Sequence, residues 1–239
     1  MFRSLRVFSR VGVVAAFLLS IGSVWAAEGG SEFVTLTPAV PTATGDKVEV
    51  VEVFWYGCSH CWHLEPIMNT WVGTQPAGVA FRRVPATGAR WDPHARAYYA
   101  AEAMGKLDEF HVALFKAMQV DRRLILKEDD LVKFAGEIGI DEQAFRDAYN
   151  SFTVETKVRK AQDLSGRYGI DGVPAVIVNG KYRTSPGQTG SKERFIEVLN
   201  TLVGQELAAK GSAAATTVPA PVAAPAPAAA SAPAPAGGY

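Results

Sequence analysis

Both cysteines of the chain lie two residues apart, in the stretch Phe54-Trp55-Tyr56-Gly57-Cys58-Ser59-His60-Cys61-Trp62-His63. Thiols at that spacing can close a structural disulfide, help hold a metal ion, or exchange a disulfide with another molecule. A ring this small is a poor staple, because the stability a disulfide confers grows with the length of chain it closes. A closed structural metal site wants four ligands. Cys58 and Cys61 with His60 or His63 begin such a site, and no second Cys/His cluster follows to complete it. Catalytic thiol–disulfide exchange needs nothing more than the pair itself. Its nucleophile is a thiolate, so what surrounds the sulfur decides the chemistry.

The flanking residues supply those surroundings. Val48–Phe54 is rich in β-branched residues and reads as a strand. Leu64, Ile67, Met68, Trp71 and Val72 then recur at helical spacing and make one buried face. The cysteine pair therefore sits where a strand ends and a helix begins. A helix start presents unpaired N–H groups and the positive end of the dipole, and both favour an anion. This predicts Cys58 as the attacking thiolate, with Cys61, one turn deeper, as the shielded resolving thiol. An imidazole at His60 adds to the stabilisation. A comfortable thiolate stabilises the dithiol, and so makes the disulfide a strong oxidant. Glu52, inside the apolar strand, is either a proton acceptor behind the cysteines or an edge-strand acid facing solvent, since an unpaired buried carboxylate is costly. Pro66 lies inside the helix and removes one of its backbone bonds.

Further along, Val79–Val84 reads as a second strand ended by Pro85, and the intervening helix favours a parallel pair. From Asp92 to Gly169 five helical stripes follow, with Asp92 expected to cap the first, ahead of Pro93. Gly105, Gly139 and Gly169 are expected stops, and Asp141 precedes a short fourth helix. The stripes are core, and His94 and His111 read as packed or surface residues, not ligands. Gly172–Val178 is a loop and strand, Asn179-Gly180 is a two-residue hairpin signal, and Lys181–Arg183 returns antiparallel. Ser191 is expected to cap a last helix whose Phe195, Val198, Leu199 and Leu202 face inward. A short strand around Phe33–Leu36 leads in.

The termini are of another kind. Arg3, Arg6 and Arg10 precede an apolar run, Val11–Ile21, too short to span a bilayer comfortably. Small residues at Val24 and Ala26 predict an export signal over residues 1–26, cleaved after Ala26; an uncleaved anchor is the alternative. Without those three arginines the chain has 21 basic and 24 acidic residues, a net of −3. That leaves no basic surplus for nucleic acid and no polybasic membrane patch. Residues 211–239 carry no charge and alternate proline with alanine, which predicts a disordered extension. An exported, oxidising compartment lets a Cys58–Cys61 disulfide persist.

Taken together, Glu-Val-Phe-Trp-Tyr-Gly-Cys-Ser-His-Cys at 52–61, the helical insertion, and Gly-Val-Pro-Ala-Val-Ile-Val-Asn-Gly-Lys-Tyr at 172–182 resemble the thioredoxin superfamily and, within it, the DsbA family of periplasmic thiol:disulfide interchange proteins. The resemblance runs from about residue 32 to about residue 203. It implies an α/β thioredoxin fold, with residues 27–90 and 166–210 forming the thioredoxin-like domain and 91–165 the inserted helices. It implies Cys58 as nucleophile, Cys61 as partner, His60 as thiolate stabiliser, Glu52 as the buried acid and Pro174 as a cis-proline beside the disulfide. From spacing alone Pro174 reads as trans, cis being uncommon. Val173 would offer its backbone to a substrate strand, and Trp55, Tyr56 and Trp62 are either apolar substrate surface or packing. Ser59 departs from the proline many relatives carry. No cofactor is expected. The implied partners of this monomer are reduced secreted proteins and a quinone-linked inner-membrane oxidase of the DsbB type. A reductase or isomerase is the alternative within the class, though isomerases usually need a dimerisation domain that Ala27–Lys47 is too short to supply. A metal-binding or chaperone-like export factor is the alternative outside it.

Overall fold

The computed structural model describes residues 32–216. The expected signal segment and the Ala/Pro stretch past Thr216 lie outside the described residues. Five strands make one sheet: β1 (Phe33–Thr35), β2 (Val48–Phe54), β3 (Val79–Pro85), β4 (Ala175–Val178) and β5 (Tyr182–Thr184), in the order β1-β5-β4-β2-β3. β2 runs parallel to β3 and antiparallel to β4. Every residue of β2 is buried. That is why the strand reads as an almost unbroken apolar run: both faces of the sheet are covered.

Helix α1 (Ser59–Gly73) makes the crossover from β2 to β3. Five helices, α2 (Asp92–Ala103), α3 (Leu107–Gln119), α4 (Glu128–Glu137), α5 (Glu142–Tyr149) and α6 (Phe152–Arg167), are inserted between β3 and β4. A short α7 (Pro186–Thr189) and a long α8 (Lys192–Thr216) close the described chain. Alternation along β2 splits the core in two. Val48 and Val50 pack with Leu64, Met68 and Trp71 of α1 and with Phe195, Leu199 and Leu202 of α8. Val51 and Val53 face the insertion, where Phe110, Leu114, Phe115, Leu131 and Phe145 are buried.

Local signals hold where the chemistry is local. Asn179 (φ 50) and Gly180 (φ 65) form the turn between β4 and β5. Gly180 is required twice over, since a Cβ there would lie 1.8 Å from the Val40 carbonyl oxygen. Asp141 caps α5 by accepting from Ala144 N–H at 2.8 Å, and Ser191 accepts from Arg194 N–H at 3.1 Å at the start of α8. Asp92 differs from expectation. Trp91 is the N-cap, Asp92 is the first helical residue, and the Asp92 carboxylate turns back to accept from Gly88 N–H at 2.8 Å. α8 also runs to Thr216, beyond the Gly211 at which a disordered extension was expected to begin. Ala213, Ala214 and Ala215 are strong helix formers that extend a helix already anchored by its packed first turns.

Candidate active site

The cysteine pair stands at the junction of β2 and α1. Cys58 is the N-cap of α1, with extended backbone (φ −95, ψ 115). Its N–H donates to the Trp55 carbonyl at 3.0 Å, closing a turn, and its carbonyl accepts from Trp62 N–H at 3.2 Å, opening the helix. No side chain caps α1 and no acidic residue lies in its first turn, so the free N–H groups are left to the sulfur. The Cys58 thiol is half-buried and donates to the Val173 carbonyl at 3.3 Å. Val173–Pro174 is a cis bond, as the resemblance implies, and Thr37–Pro38 is a second one, which nothing in the sequence signalled.

The two thiols are driven apart. A hydrogen bond from the Cys61 thiol holds the Cys58 thiol down to about 6, against burial, with the N–H groups of Cys61 and His60 and the His60 charge adding to it. Burial pushes the fully enclosed Cys61 thiol far above the ordinary range, and the neighbouring Cys58 pushes it further. The His60 side chain is exposed, and its charge makes the smallest contribution to the shift at Cys58. Backbone and partner thiol do more than the imidazole on which the sequence reading leaned.

Beneath the pair lies a buried chain of charges. Glu52 is on an interior strand and fully enclosed, which overturns the edge-strand reading. One of its oxygens accepts from Arg83 Nε at 3.1 Å; the other, Oε1, has no partner. Burial raises the Glu52 carboxyl to about 7, although Arg83 opposes the shift. Arg83 also donates to Glu65 at 3.0 Å and to Asn69 at 2.8 Å. Glu65 accepts from His111 Nε2 at 3.2 Å, and His111 Nδ1 lies 2.9 Å from the Tyr56 hydroxyl. Burial opposes ionisation of Glu65, but His111 and Arg83 hold its carboxyl below the usual range. Sequence reasoning did not place Arg83, Glu65 or His111 at the site. A carboxylate four residues after Cys61, on the buried stripe of α1, was the one signal that could have raised Glu65.

The surface residues divide. Trp55, Trp62 and Val173 are partly exposed around the cysteines, but Tyr56 is fully buried and belongs to the core. A groove of about 500 Å³ runs past His60, His63, Val173 and Pro174 toward Arg183 and Lys192. Among the described residues no group of three or more His, Cys, Asp or Glu side chains is placed to hold a metal ion.

A thioredoxin-type sheet, a thiol pair at the start of the first helix and a cis-proline loop against its outer sulfur define a class, that of thioredoxin-fold proteins with a redox-active dithiol. Comparison with known proteins narrows it. Residues 77–193 match the model of the DSBA-like thioredoxin domain. The chain is 42% identical over 182 residues to a thiol:disulfide interchange protein DsbA of Azotobacter vinelandii, covering 76% of this chain and 85% of the relative. With the protein of that name from Pseudomonas syringae pv. tomato it is 35% identical over 212 residues, covering 88% and 99%. The crystal structure of Pseudomonas aeruginosa DsbA superimposes with a TM-score of 0.72 at 36% identity, covering 75% of this chain and 94% of that one. The chain belongs to the DsbA-like family and is a thiol:disulfide oxidoreductase of that type.

Proposed function

We propose that the protein works in the oxidising direction, in the periplasm, handing its Cys58–Cys61 disulfide to reduced secreted polypeptides. The observation that carries this is the Cys58 sulfur, half-buried at the start of α1 and held down to about 6. A substrate thiolate attacks Cys58 Sγ. The sulfur–sulfur bond breaks and its electron pair leaves on Cys61, which burial requires to be protonated. A second substrate thiolate then attacks the substrate sulfur of the mixed disulfide and expels Cys58 as a stable thiolate. The substrate has lost two electrons and the protein's cysteines have gained them. Glu52, whose charge the Cys61 sulfur senses, supplies the proton to Cys61 in this direction and accepts it when the pair is reoxidised.

Val173 offers its carbonyl to an extended substrate beside cis-Pro174, while Trp55 and Trp62 supply apolar surface. A quinone-linked inner-membrane thiol oxidase of the DsbB type takes the electrons, and the protein acts as a monomer. The export signal read in residues 1–26 supports the compartment. A Cys58 titration near 6 supports an oxidase over a reductase, because the dithiol form is the one the site stabilises.

The test is the ultraviolet thiolate absorbance of the reduced protein against pH, together with oxidation of a reduced, unfolded protein. The thiolate should appear with a midpoint well below the ordinary value for a thiol. Cys58→Ser should abolish oxidation, and Cys61→Ser, supplied with oxidised glutathione as the disulfide, should accumulate a mixed disulfide at Cys58. A Cys58 midpoint near 9 would remove the oxidase assignment.

A further inference from the structure

The turn that carries the nucleophile is held from outside the thioredoxin-like part of the fold. Three side chains of the helical insertion reach it. His94 of α2 accepts the Trp55 indole N–H at 2.7 Å. His111 of α3 takes the Tyr56 hydroxyl at 2.9 Å. Gln119, the last residue of α3, donates to the Tyr56 carbonyl at 2.7 Å. Each histidine is anchored at its far nitrogen, His94 to the Ile125 carbonyl at 2.7 Å and His111 to Glu65 at 3.2 Å. Those partners are acceptors, so each Nε2 carries the proton and each Nδ1 is left to accept. Both histidines are buried, and burial lowers the pKa of each, which suits this neutral tautomer. Trp55 also lies on Trp91, with ring centroids 5.8 Å apart. Its indole folds over Gly57, where a Cβ would come within 2.3 Å of the ring.

We propose that His94, His111 and Gln119 are positioning residues which hold the Trp55–Cys58 turn, and with it the Cys58 sulfur, in the place that makes it reactive. The reasoning rests on the oxidase reading above and deepens it. The stabilisation of the thiolate comes from short-range donors, the Cys61 thiol and the N–H groups of Cys61 and His60, and these act only while Cys58 stays at the N-cap. Cys58 is tied there by its N–H to the Trp55 carbonyl. A turn released from the insertion would sample wider positions, and the average donor would lie further from the sulfur. The inserted helices thereby tune the redox couple without touching either cysteine through those three side chains.

The experiment uses the full chain and four variants: Tyr56→Phe, which deletes only the hydroxyl; Gln119→Met; His111→Leu; and His111→Asn, whose amide can stand where Nδ1 stood. Each is read by its redox equilibrium with glutathione, by the thiolate absorbance of Cys58 against pH, and by thermal unfolding. Tyr56→Phe, Gln119→Met and His111→Leu should each shift the equilibrium at least threefold toward the disulfide form and raise the Cys58 midpoint. His111→Asn should return both to within twofold of the parent. Should the redox equilibrium and the Cys58 midpoint stay at the parent values in all of them, whatever the unfolding temperature does, the grip of the insertion on the turn is packing and the proposal is wrong. If His111→Leu does not fold, Tyr56→Phe and Gln119→Met decide. A parent protein with an ordinary thiol midpoint overturns the oxidase reading instead, so the two failures are distinct.

Discussion

Glu49 and Glu52 stand three residues apart on β2, each paired with an arginine of β3, yet their surroundings differ. Both Glu49 oxygens are occupied, by Ala43 N–H at 2.8 Å and by two Arg82 nitrogens at 3.1 and 3.3 Å. Glu52 has one bond to Arg83, while its second oxygen has no partner and Arg83 is shared with Glu65 and Asn69. The first arrangement is what a buried ion pair needs in order to be stable. The second leaves a carboxyl that binds a proton near neutrality, on the face of β2 that meets α1 and Cys61. The same residue types on the same two strands thus make a fully satisfied pair at one site and leave a half-satisfied carboxyl at the other, and the number of donors makes the difference.

Removing Arg83 should separate the two pairs most sharply. Arg83→Met leaves two buried carboxylates, Glu52 and Glu65, without their shared cation, and should cost about 3–5 kcal/mol by urea unfolding. Next is the pH dependence of stability. The folded Glu52 carboxyl titrates at about 7 and an unfolded glutamate near 4.5. Between those values the folded state holds a proton that the unfolded state has released, so this group's contribution to stability falls as pH rises, by about 3 kcal/mol in all. Glu52→Gln should flatten that slope; an unchanged slope would mean that the charge resides elsewhere. Glu49→Gln should cost about 1–3 kcal/mol, because Arg82 loses its carboxylate, and should leave the Cys58 titration where it was. The smallest effect is expected from His60→Leu, which should raise the Cys58 midpoint by less than about one unit, since exposed charges are screened. A larger rise would put the imidazole ahead of the backbone donors.

The reduced form gains stability from Cys58 because its folded titration point is depressed to about 6. That gain is lost as pH falls through 6. The melting temperature of the reduced protein should therefore fall relative to that of the oxidised protein on acidification.

Much of this architecture could be read from sequence, because the relevant signals act over a few residues. The Val48–Phe54 run, the α1 stripe, the Asn179-Gly180 turn and the caps at Asp141 and Ser191 each depend on neighbours in the chain. The thiol pair and its place at a helix start were equally plain. What could not be read depends on distant partners. Arg83 lies 31 residues from Glu52, and His111 lies 55 from Tyr56. No local pattern announces either bond. The cis bond at Pro174 came from resemblance alone, since spacing favours the commoner trans form. At Asp92 the Gly88 amide captured the carboxylate, and Trp91 became an N-cap with no side-chain bond.

The border of the sheet bears on how the protein meets extended polypeptides. β3 is its last strand on one side, and the three-residue β1 ends the other. An open strand edge is a template to which an extended polypeptide can add itself. On β3 that edge carries Arg82 and Arg83 and ends at Pro85, which has no amide hydrogen to offer. On β1 there is too little length to recruit a guest. Proline and brevity are ordinary means by which a border repels such additions. An extended polypeptide is thereby discouraged from pairing along the rim, where added strands would clump.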